Sequence, residues 1–425
     1  MKKQKRLPAF ESRDFRLWFV GQGISVIGTW LQNTGQSWLV LKLTNSPMKL
    51  GLLSAVQYLP SLLLSLFIGP LIDTVPKRTI LLWTQSLFAL SAAVLAAVSF
   101  MGNEQYWVIM LISLFSGIVT AVDWPTRQAF VSEQVQDRSA VTNAVALNNT
   151  LFNIARIVGP AIGGVMIAAI GIPWTFALNA ASYLAVILSL VLMQSGRTAQ
   201  KSKRGDFRTE VAGGIRYIRD NPAITSLLTI VCVISLFLLN FSITIPSFSK
   251  LTLGLGADAY GGLMSAMGVG ALLAGLMMSL GGKELEPKPS HVYLSGFILS
   301  AGMILLGLQK NLVLSGILLA VCGFGMSFFT TICNTSVQMQ CSDEMRGRVM
   351  SVYNIVFVGV TPFGSLYSGK VADSFGSGWA FLLSGLIGLV FLLFMKIFVT
   401  PRTFKGISSF VRPPVLEEDV ASEKT

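Results

Sequence analysis

The sequence has little charge and few of the side chains that enzymes use for catalysis. Only 12% of the 425 residues are charged, and the chain contains four cysteines and one histidine. No two cysteines have C-x-x-C spacing, so we predict neither a zinc site nor a disulfide framework. H-E-x-x-H, G-x-S-x-G and Walker motifs are also missing from the sequence. We therefore expect no cofactor and no metal, and a membrane enzyme is the weakest of the functional alternatives.

Apolar residues make up most of the chain. Hydrophobic residues account for 52% of it, and the mean hydropathy is +0.66, which does not fit a water-exposed surface. The 40 glycines are scattered through apolar runs, where a missing side chain lets membrane helices approach closely. A net charge of +12 would suggest nucleic acid in a soluble protein, but here the charges lie between apolar segments. We therefore predict a lipid-embedded protein with no nucleic-acid partner.

Apolar segments of about 20 residues, the length that crosses a bilayer, recur along the chain. We predict twelve of them, with the seventh at about 222–247 and the eleventh at about 346–371. The fold class is therefore an all-α membrane protein with two six-helix bundles. The predicted domains are a first bundle at 1–194, a cytoplasmic inter-bundle loop at 195–221, a second bundle at 222–400 and a cytoplasmic tail at 401–425.

The distribution of basic residues predicts the orientation. With twelve spans and a cytoplasmic N-terminus, 26 of the 32 Lys and Arg residues lie on the cytoplasmic side, five lie outside, and Arg156 lies within a helix. Cytoplasmic loops carry such an excess of basic residues. An odd number of spans would move the basic C-terminal tail outside and weaken the bias. We expect a multi-pass protein of the bacterial inner membrane with both termini in the cytoplasm.

An internal repeat relates the two sets of spans. A shift of 205 residues brings eight identities together within residues 149–178. The pairs are Asn149/Asn354, Phe152/Phe357, Gly159/Gly364, Gly164/Gly369, Gly171/Gly376, Trp174/Trp379, Phe176/Phe381 and Leu178/Leu383. Two halves with the same orientation are related by an axis along the membrane normal, so the repeat predicts a central cleft between them.

The loop after the second span carries an acid and two cations at a distinctive spacing. It contains Gly69, Asp73, Lys77 and Arg78, and Pro76 stands before the two cations. The pattern resembles the loop signature of the major facilitator superfamily, in which a glycine is usual at the position of Pro76. The replacement of this glycine by Pro76 affects the bend of the loop and not its charges.

That resemblance implies a gate between the two halves. In the superfamily this cluster latches the halves in the outward-facing state, so we expect Asp73 near the start of the eleventh helix, around Arg346 and Arg348. The equivalent segment of the second half has Met278 where the acid would be, so only the first half keeps the latch. An ordinary basic loop would explain Lys77 and Arg78 but not an acid at this spacing.

The fifth span contains a second motif, with Gly159, Pro160, Gly163 and Gly164. Proline kinks a helix and glycines permit close packing against the opposite half. The motif resembles G-P-x-x-G-G of superfamily exporters that exchange drug for proton, where it is taken to seal the site against leak. Any kinked, tightly packed helix could carry the same pattern.

Two long stretches of the chain resemble one branch of the superfamily. They run from Asp123 to Gly164 and from Arg346 to Asn354. That branch includes the enterobactin exporter and the transmembrane secretion effectors. The resemblance implies an efflux transporter but names no substrate.

Ionisable residues inside the spans are costly to bury and are therefore functional candidates. Asp123 and Arg127 are four residues apart on the fourth helix, so they share a face. They could exchange a proton or form a structural ion pair. Arg156 could hold an anionic group of a substrate or a helix carbonyl.

Polar amides form a second group of candidates. Asn33 and Gln36 share a face of the first helix, Asn149 lies on the fifth and Asn240 on the seventh. In the superfamily, helices one, four, seven and ten line the cavity, which makes Asn33, Gln36, Asp123 and Asn240 the preferred substrate contacts. The alternative is that these amides only join helices by hydrogen bonds.

The leading functional prediction is a secondary active transporter, a monomer that works by alternating access. We expect proton-coupled efflux of an amphipathic small molecule such as a drug or a siderophore-like compound, because the cavity has few charges to hold a strongly polar substrate. The expected partners are this substrate, the proton and membrane lipid. A lysophospholipid or lipid translocator, or an importer, on the same fold is an alternative. A non-transporting membrane receptor or assembly factor is an alternative of another class.

Overall fold

The described residues of this computed structural model are 8–135, 138–194, 207–280 and 287–399. The predicted tail, 401–425, lies outside them. Within the described ranges the regular elements are helices. A short 3₁₀ helix, Pro8–Glu11, precedes the first long helix.

Six long helices form the first half of the chain. Their bounds are α1 Arg13–Thr44, α2 Pro47–Thr74, α3 Lys77–Phe100, α4 Tyr106–Glu133, α5 Arg138–Ile170 and α6 Ile172–Leu192. A 13-residue helix, α7 Phe207–Arg219, then precedes the second half. It lies inside the stretch 195–221 that the sequence predicted as a loop.

The second half contains the remaining helices, some of which are joined end to end within one span. Their bounds are α8 Pro222–Phe237, α9 Phe241–Ser247, α10 Ala257–Leu280, α11 Pro289–Gly307, α12 Leu312–Gln340, α13 Asp343–Gly359, α14 Thr361–Phe375 and α15 Ser377–Phe394. A π-helical turn, Phe248–Thr252, continues α9, and another, Met395–Val399, ends α15.

The prediction of twelve spans in two six-helix bundles is confirmed. Ten spans in the described residues meet the length and hydropathy needed to cross a bilayer. The helices α1 and α2, with 32 and 28 residues, complete the twelve. At 1.5 Å per residue each is longer than the roughly 30 Å hydrocarbon core.

The seventh and eleventh spans are each interrupted near the middle. In the seventh, α8 ends at Phe237 and α9 begins at Phe241, with Asn240 as the N-cap of α9. In the eleventh, α13 ends at Gly359 and α14 begins at Thr361, with Pro362 in its first turn. Because proline has no N–H and clashes with the preceding turn, it favours a break at this position.

The repeat is visible in the backbone as well as in the sequence. Gly171 precedes α6 with φ 95°, and its repeat partner Gly376 precedes α15 with φ 96°. Both angles lie in a region that residues with a Cβ rarely adopt. The same turn is therefore built twice, once in each half.

The helix ends define two faces of the molecule. The linker face is the end where α7 lies, and there α1 and α3 begin and α2 and α4 end. The far face is the opposite end, where α1 ends at Thr44 and α2 begins at Pro47. The helix α7 packs along α13, with Arg348 against Gly213 and Gly214.

Candidate functional site

The two halves meet along two helix pairs, α5 with α10 and α2 with α14. At the first crossing, a Cβ on Gly164 would lie 2.9 Å from the Cα of Gly261. At the second, a Cβ on Gly369 would lie 3.2 Å from the Cα of Gly51. Both distances are shorter than ordinary contacts, so only glycine allows the backbones to approach this closely. Gly164 and Gly369 are repeat partners, so the repeat supplies one glycine to each crossing.

Polar contacts join the halves at the far face. The Asp373 carboxylate of α14 accepts hydrogen bonds from the Ser46 hydroxyl at 2.6 Å and the Met48 backbone N–H at 3.3 Å. Asp373 thus sits at the N-terminus of α2, where the helix dipole favours an anion.

A cation takes the complementary position at the end of α1. The Lys250 ammonium donates to the Leu41 carbonyl at 2.5 Å and to the Asn45 side-chain oxygen at 2.7 Å. The C-terminal end of a helix favours positive charge. The second half therefore offers an anion to one helix end of the first half and a cation to another.

Buried contacts extend the closure toward the membrane centre. The Ser54 and Ser365 hydroxyls are 3.1 Å apart, and the rings of Trp38 and Tyr260 are stacked with centroids 6.0 Å apart. We call this set of contacts the far-face interlock. It comprises Gly164/Gly261, Gly51/Gly369, Ser46/Asp373, Lys250/Asn45, Ser54/Ser365 and Trp38/Tyr260.

The helices separate toward the linker face. The far-face half of the eleventh span, α14, packs extensively along α2, whereas its linker-face half, α13, touches α2 only slightly. The seventh span behaves in the same way, since α9 contacts α1 and α2 while α8 packs mainly on α12 to α15 of its own half. The space between the halves is therefore closed at the far face and widens toward the linker face.

One side of α5 faces this space with polar residues. Asn149, Asn153 and Arg156 are spaced four and three residues apart, so they share a helix face. The two asparagines are exposed and Arg156 is partly buried. Ile154 and Val165 lie on the opposite side of α5 and are 44% and 63% exposed, which fits contact with lipid.

Arg156 lacks a full set of partners. Its guanidinium carbon lies 5.9 Å from the ring centroid of Trp30, and its buried Nε has no hydrogen-bond partner in the described part of the chain. The Tyr58 phenol is close enough to interact with it electrostatically. Burying a charge in a membrane costs roughly 2.5–3.5 kcal/mol, and a cation–π contact returns only about 0.5–2 kcal/mol. The contacts present do not offset that cost.

Asp123 and Arg127, by contrast, satisfy each other. The Arg127 guanidinium donates to Asp123 Oδ2 from Nη2 at 2.5 Å and from Nε at 3.0 Å. Asp123 Oδ1 accepts from Thr84 at 2.6 Å and from Gln85 at 2.7 Å. Both charged side chains are buried between α3 and α4. The pair that the spacing predicted is present, and it lies inside the first half rather than on the central space.

The amide candidates differ in their surroundings. Gln36 donates to the Ser113 hydroxyl at 2.5 Å and joins α1 to α4. Asn240 donates to the Leu236 carbonyl at 2.8 Å and lies beside Gly364. Asn33 is only partly buried. Gln36 and Asn240 thus already serve as contacts between or within helices.

The cations of the predicted latch are bound within the first half. Lys77, in the first turn of α3, forms an ion pair with Glu133 at the end of α4. Arg78 donates from Nε to the Leu190 carbonyl at 2.5 Å and from Nη2 to the Val191 carbonyl at 3.0 Å. Arg78 therefore caps the C-terminus of α6.

The remaining latch residues lie on the same face. Gly69 and Asp73 belong to the last turns of α2, but their side chains are outside the described residues. Arg346 and Arg348 lie in the first turns of α13. Arg346 donates toward the Gln338 carbonyl at 3.4 Å. The linker-face ends of α2 and α13 thus carry the residues that the sequence predicted for this gate.

The Gly159 to Gly164 motif contacts two different helices. A Cβ on Gly163 would lie 3.2 Å from the Cβ of Thr34, and Gly159 packs on Trp30, so both glycines face α1. Gly164 and the Pro160 carbonyl face Gly261 of α10. The motif therefore packs the fifth span against its own half and against the other half at once.

Sequence reasoning missed the charged residues of the interlock. Asp373 and Lys250 belong to no motif that we recognised, and each lies where a span ends. The only available signal was a charge placed a few residues before a glycine turn, with Gly254 after Lys250 and Gly376 after Asp373. Tyr58 was missed because a single tyrosine in an apolar helix carries no pattern.

Comparison with solved structures identifies the architecture. The chain superimposes on a bacterial homologue of the human lysosomal transporter Spinster, in an inward-facing and unoccupied conformation, with a TM-score of 0.69. The match covers 91% of this chain and 95% of that one at 12% identity. The chain therefore has the same fold as this solved structure.

Sequence comparison then gives the family. The chain belongs to the transmembrane secretion effector family, whose model matches residues 6–424. It is 27% identical over 383 residues to a staphyloferrin A transporter of Staphylococcus aureus, covering 87% of this chain and 92% of the relative. It is 21% identical over 384 residues to macrolide efflux protein A of Streptococcus pyogenes, covering 88% and 92%. The predicted family and the prediction that the chain is not an enzyme are therefore confirmed.

Proposed function

We propose that this protein exports an amphipathic small molecule from the cytoplasm by proton-coupled alternating access. The observation that carries the proposal is the one-sided closure of the space between the halves, interlocked at the far face and widening toward the linker face. A transporter in this state receives its cargo from the linker face. The family relatives named for siderophore transport and macrolide efflux support the substrate class.

The linker face is the cytoplasmic face in this proposal. The excess of Lys and Arg in the segments that join helices on this side supports that orientation, because basic residues are retained in the cytoplasm. Both termini then lie in the cytoplasm of a bacterial cell, and the inner membrane is the compartment. With the first bundle ending at 194 and the second beginning at 222, α7 belongs to the segment that connects the two bundles in the cytoplasm.

The movement of the loaded carrier closes the linker face and opens the far face, where the cargo is released. In the proposed cycle, Asp73 then approaches the start of α13, where Arg346 and Arg348 lie, and holds the linker face shut. The Gly159 to Gly164 motif keeps α5 packed against both α1 and α10 during the movement. Asp123 is the candidate for proton binding, and a proton on it would release Arg127 from the ion pair.

Inside-out membrane vesicles test the proposal directly. A bis-benzimide dye that fluoresces in membranes is the probe, and respiration supplies the proton gradient. We expect the gradient to drive the dye into vesicles that contain the protein, and a protonophore to stop it. Vesicles without the protein are the control. Dye uptake that continues at the same rate in the presence of the protonophore would contradict proton coupling.

The same vesicles separate the alternatives. Gradient-driven movement of the dye only out of inside-out vesicles would identify an importer. Transfer of a labelled lysophospholipid between leaflets, without dye transport, would identify a lipid translocator. No flux of either probe, together with a cellular phenotype that survives Asp73→Asn, would favour a receptor or assembly factor.

A further inference from the structure

Arg156 is a membrane-embedded cation that the proposed gating and proton steps do not use. It lies on the polar side of α5, at the level where Ile157 meets Gly268 of the other half. At this level the two halves still touch through Ile157 and Gly268, and the residues of α5 that precede Arg156 lie nearer the linker face, where the halves separate. Arg156 is therefore at the closed end of the space between the halves, where a bound molecule would come to rest.

Among the described residues, the surroundings of Arg156 supply an aromatic wall but no counter-charge. Trp30 lies 5.9 Å from the guanidinium carbon, and Tyr58 of α2 is the neighbouring titratable group. Ion pairs among the described residues include those of other cations, such as Lys77, Arg127 and Arg219. Arg127 has a buried carboxylate partner, because its Nε and Nη2 both donate to Asp123 Oδ2. No carboxylate among the described residues pairs with Arg156 in this way.

The donors of Arg156 are suited to one kind of ligand. A guanidinium has five N–H groups in a planar fork, and a carboxylate or other oxyanion accepts two of them in parallel. The buried Nε of Arg156 is unused, so one arm of the fork is available. Asn153 lies one turn and Asn149 two turns from Arg156 toward the linker face. They extend the polar face in that direction and could bind further oxygen atoms of a ligand.

We propose that Arg156, with Trp30 and Tyr58, forms an oxyanion subsite, and that the transported molecule is an amphipathic acid whose carboxylate binds Arg156. The inference rests on the proposed transport function and narrows its substrate class. The charge of the ligand supplies the counter-ion that the protein lacks. Binding of the acid in the open state is favoured because it relieves an uncompensated buried cation.

Equilibrium binding tests the subsite without any transport step. The full-length protein in lipid nanodiscs is titrated with dansyl-aminoundecanoic acid and, separately, with its methyl ester, and binding to empty nanodiscs is subtracted. We expect the wild-type protein to bind the acid about tenfold more tightly than the ester, the size of one charge-assisted hydrogen-bond contact. Arg156→Gln removes this preference and leaves ester binding unchanged. Arg156→Lys keeps part of it, because the charge remains and the fork is lost.

A matched control removes a cation elsewhere. Lys310, an exposed residue between α11 and α12, has the same charge, and Lys310→Gln leaves the acid-to-ester ratio at its wild-type value. Three results would each overturn the subsite: equal affinity of acid and ester for the wild-type protein, no measurable binding of the acid, or a ratio that Arg156→Gln does not change. The binding titration needs no proton gradient. Failure of the dye-efflux assay would therefore count against the exporter proposal without changing the conclusion about the oxyanion subsite. Efflux of the bis-benzimide dye, which has no carboxylate, by Arg156→Gln would likewise support the exporter when the subsite fails.

Discussion

The carboxylate of Asp373 in the second half lies 2.6 Å from the hydroxyl of Ser46 in the first half, at the N-terminus of α2. Ser46 also accepts a hydrogen bond from Lys49 N–H, so one serine caps its own helix and ties that helix to the other half. In the proposed transport cycle this contact exists only while the far face is closed. A change in the charge of Asp373 should therefore act on the equilibrium between the closed and open far face.

We expect Asp373→Asn to open the far face more often. An anion at a helix N-terminus contributes about 0.3–1 kcal/mol, with the lower part of that range applying to an exposed side chain. The open population should rise roughly twofold to threefold. The measurement is the rate at which a membrane-impermeant thiol reagent labels Ser54→Cys, which is buried in the interlock, in right-side-out vesicles.

A second acid on the same face serves as the control for Asp373→Asn. Asp258, in the first turn of α10, lines a shallow far-face pocket with Leu312 and Gly316 of its own half. Asp258→Asn removes the same charge without touching the first half. Equal labelling rates for the two variants would refute the role given to Asp373.

A disulfide across the interlock should stop transport reversibly. The Ser54 and Ser365 hydroxyls are 3.1 Å apart and come from opposite halves. Oxidation of Ser54→Cys/Ser365→Cys would fix the far face in its closed state, so we expect dye accumulation in inside-out vesicles to fall to background and to return after reduction. Each single variant is the control under the same oxidation. Full transport by the oxidised, cross-linked protein would contradict alternating access.

Adjacent glycines of α10 offer a test of the close backbone contact. A Cβ on Gly261 would lie 2.5 Å from the Pro160 carbonyl oxygen, whereas a Cβ on Gly262 would meet no atom within 4 Å. We expect Gly261→Ala to separate α5 from α10 and to lower dye efflux by more than half. Gly262→Ala places the same methyl group one residue later and should leave efflux near the wild-type level. Similar losses in both variants would mean that the crossing does not limit transport.

The ion pair of Asp123 and Arg127 allows a structural role to be distinguished from a proton-binding role. Asp123→Asn leaves Arg127 buried without its partner, which costs about 3–5 kcal/mol, so protein stability should fall. Asp123→Asn/Arg127→Gln removes both charges and should recover the thermal stability. We expect the double variant to be stable and still unable to couple efflux to the proton gradient. Recovery of gradient-driven efflux in the double variant would assign the pair a structural role only.

The fold was predictable because lipid imposes simple rules on a sequence. Hydropathy gave the number of spans, and the repeat identities gave the division into halves, because each half must satisfy the same packing and turn requirements. Gly171 and Gly376 illustrate this, since the same positive φ angle is needed twice. The break in the seventh span was missed because Leu238 and Leu239 continue the apolar run, so hydropathy does not register it. The helix α7 was missed because its polar composition resembles a loop.

The site was less predictable because its residues come together only in the folded protein. The spacing of Asp123 and Arg127 predicted their ion pair, since four residues on one helix fix the geometry. The same sequence did not show that Thr84 and Gln85 of α3 would complete the bonding of Asp123. Nor could it show that Arg156 would be left with an unused Nε, because an absent partner is a property of the packing and not of a motif.

The two glycine crossings bring backbone atoms, and not side chains, into contact between the halves. The Pro160 carbonyl meets Gly261, and the Pro47 carbonyl meets Gly369. The residues that would touch a cargo lie at another level of α5, around Arg156, one to two turns nearer the linker face than the crossing. Mutations that alter what is carried can therefore accumulate at that level while the glycine crossings stay as they are, so recognition and movement are free to evolve separately on one scaffold.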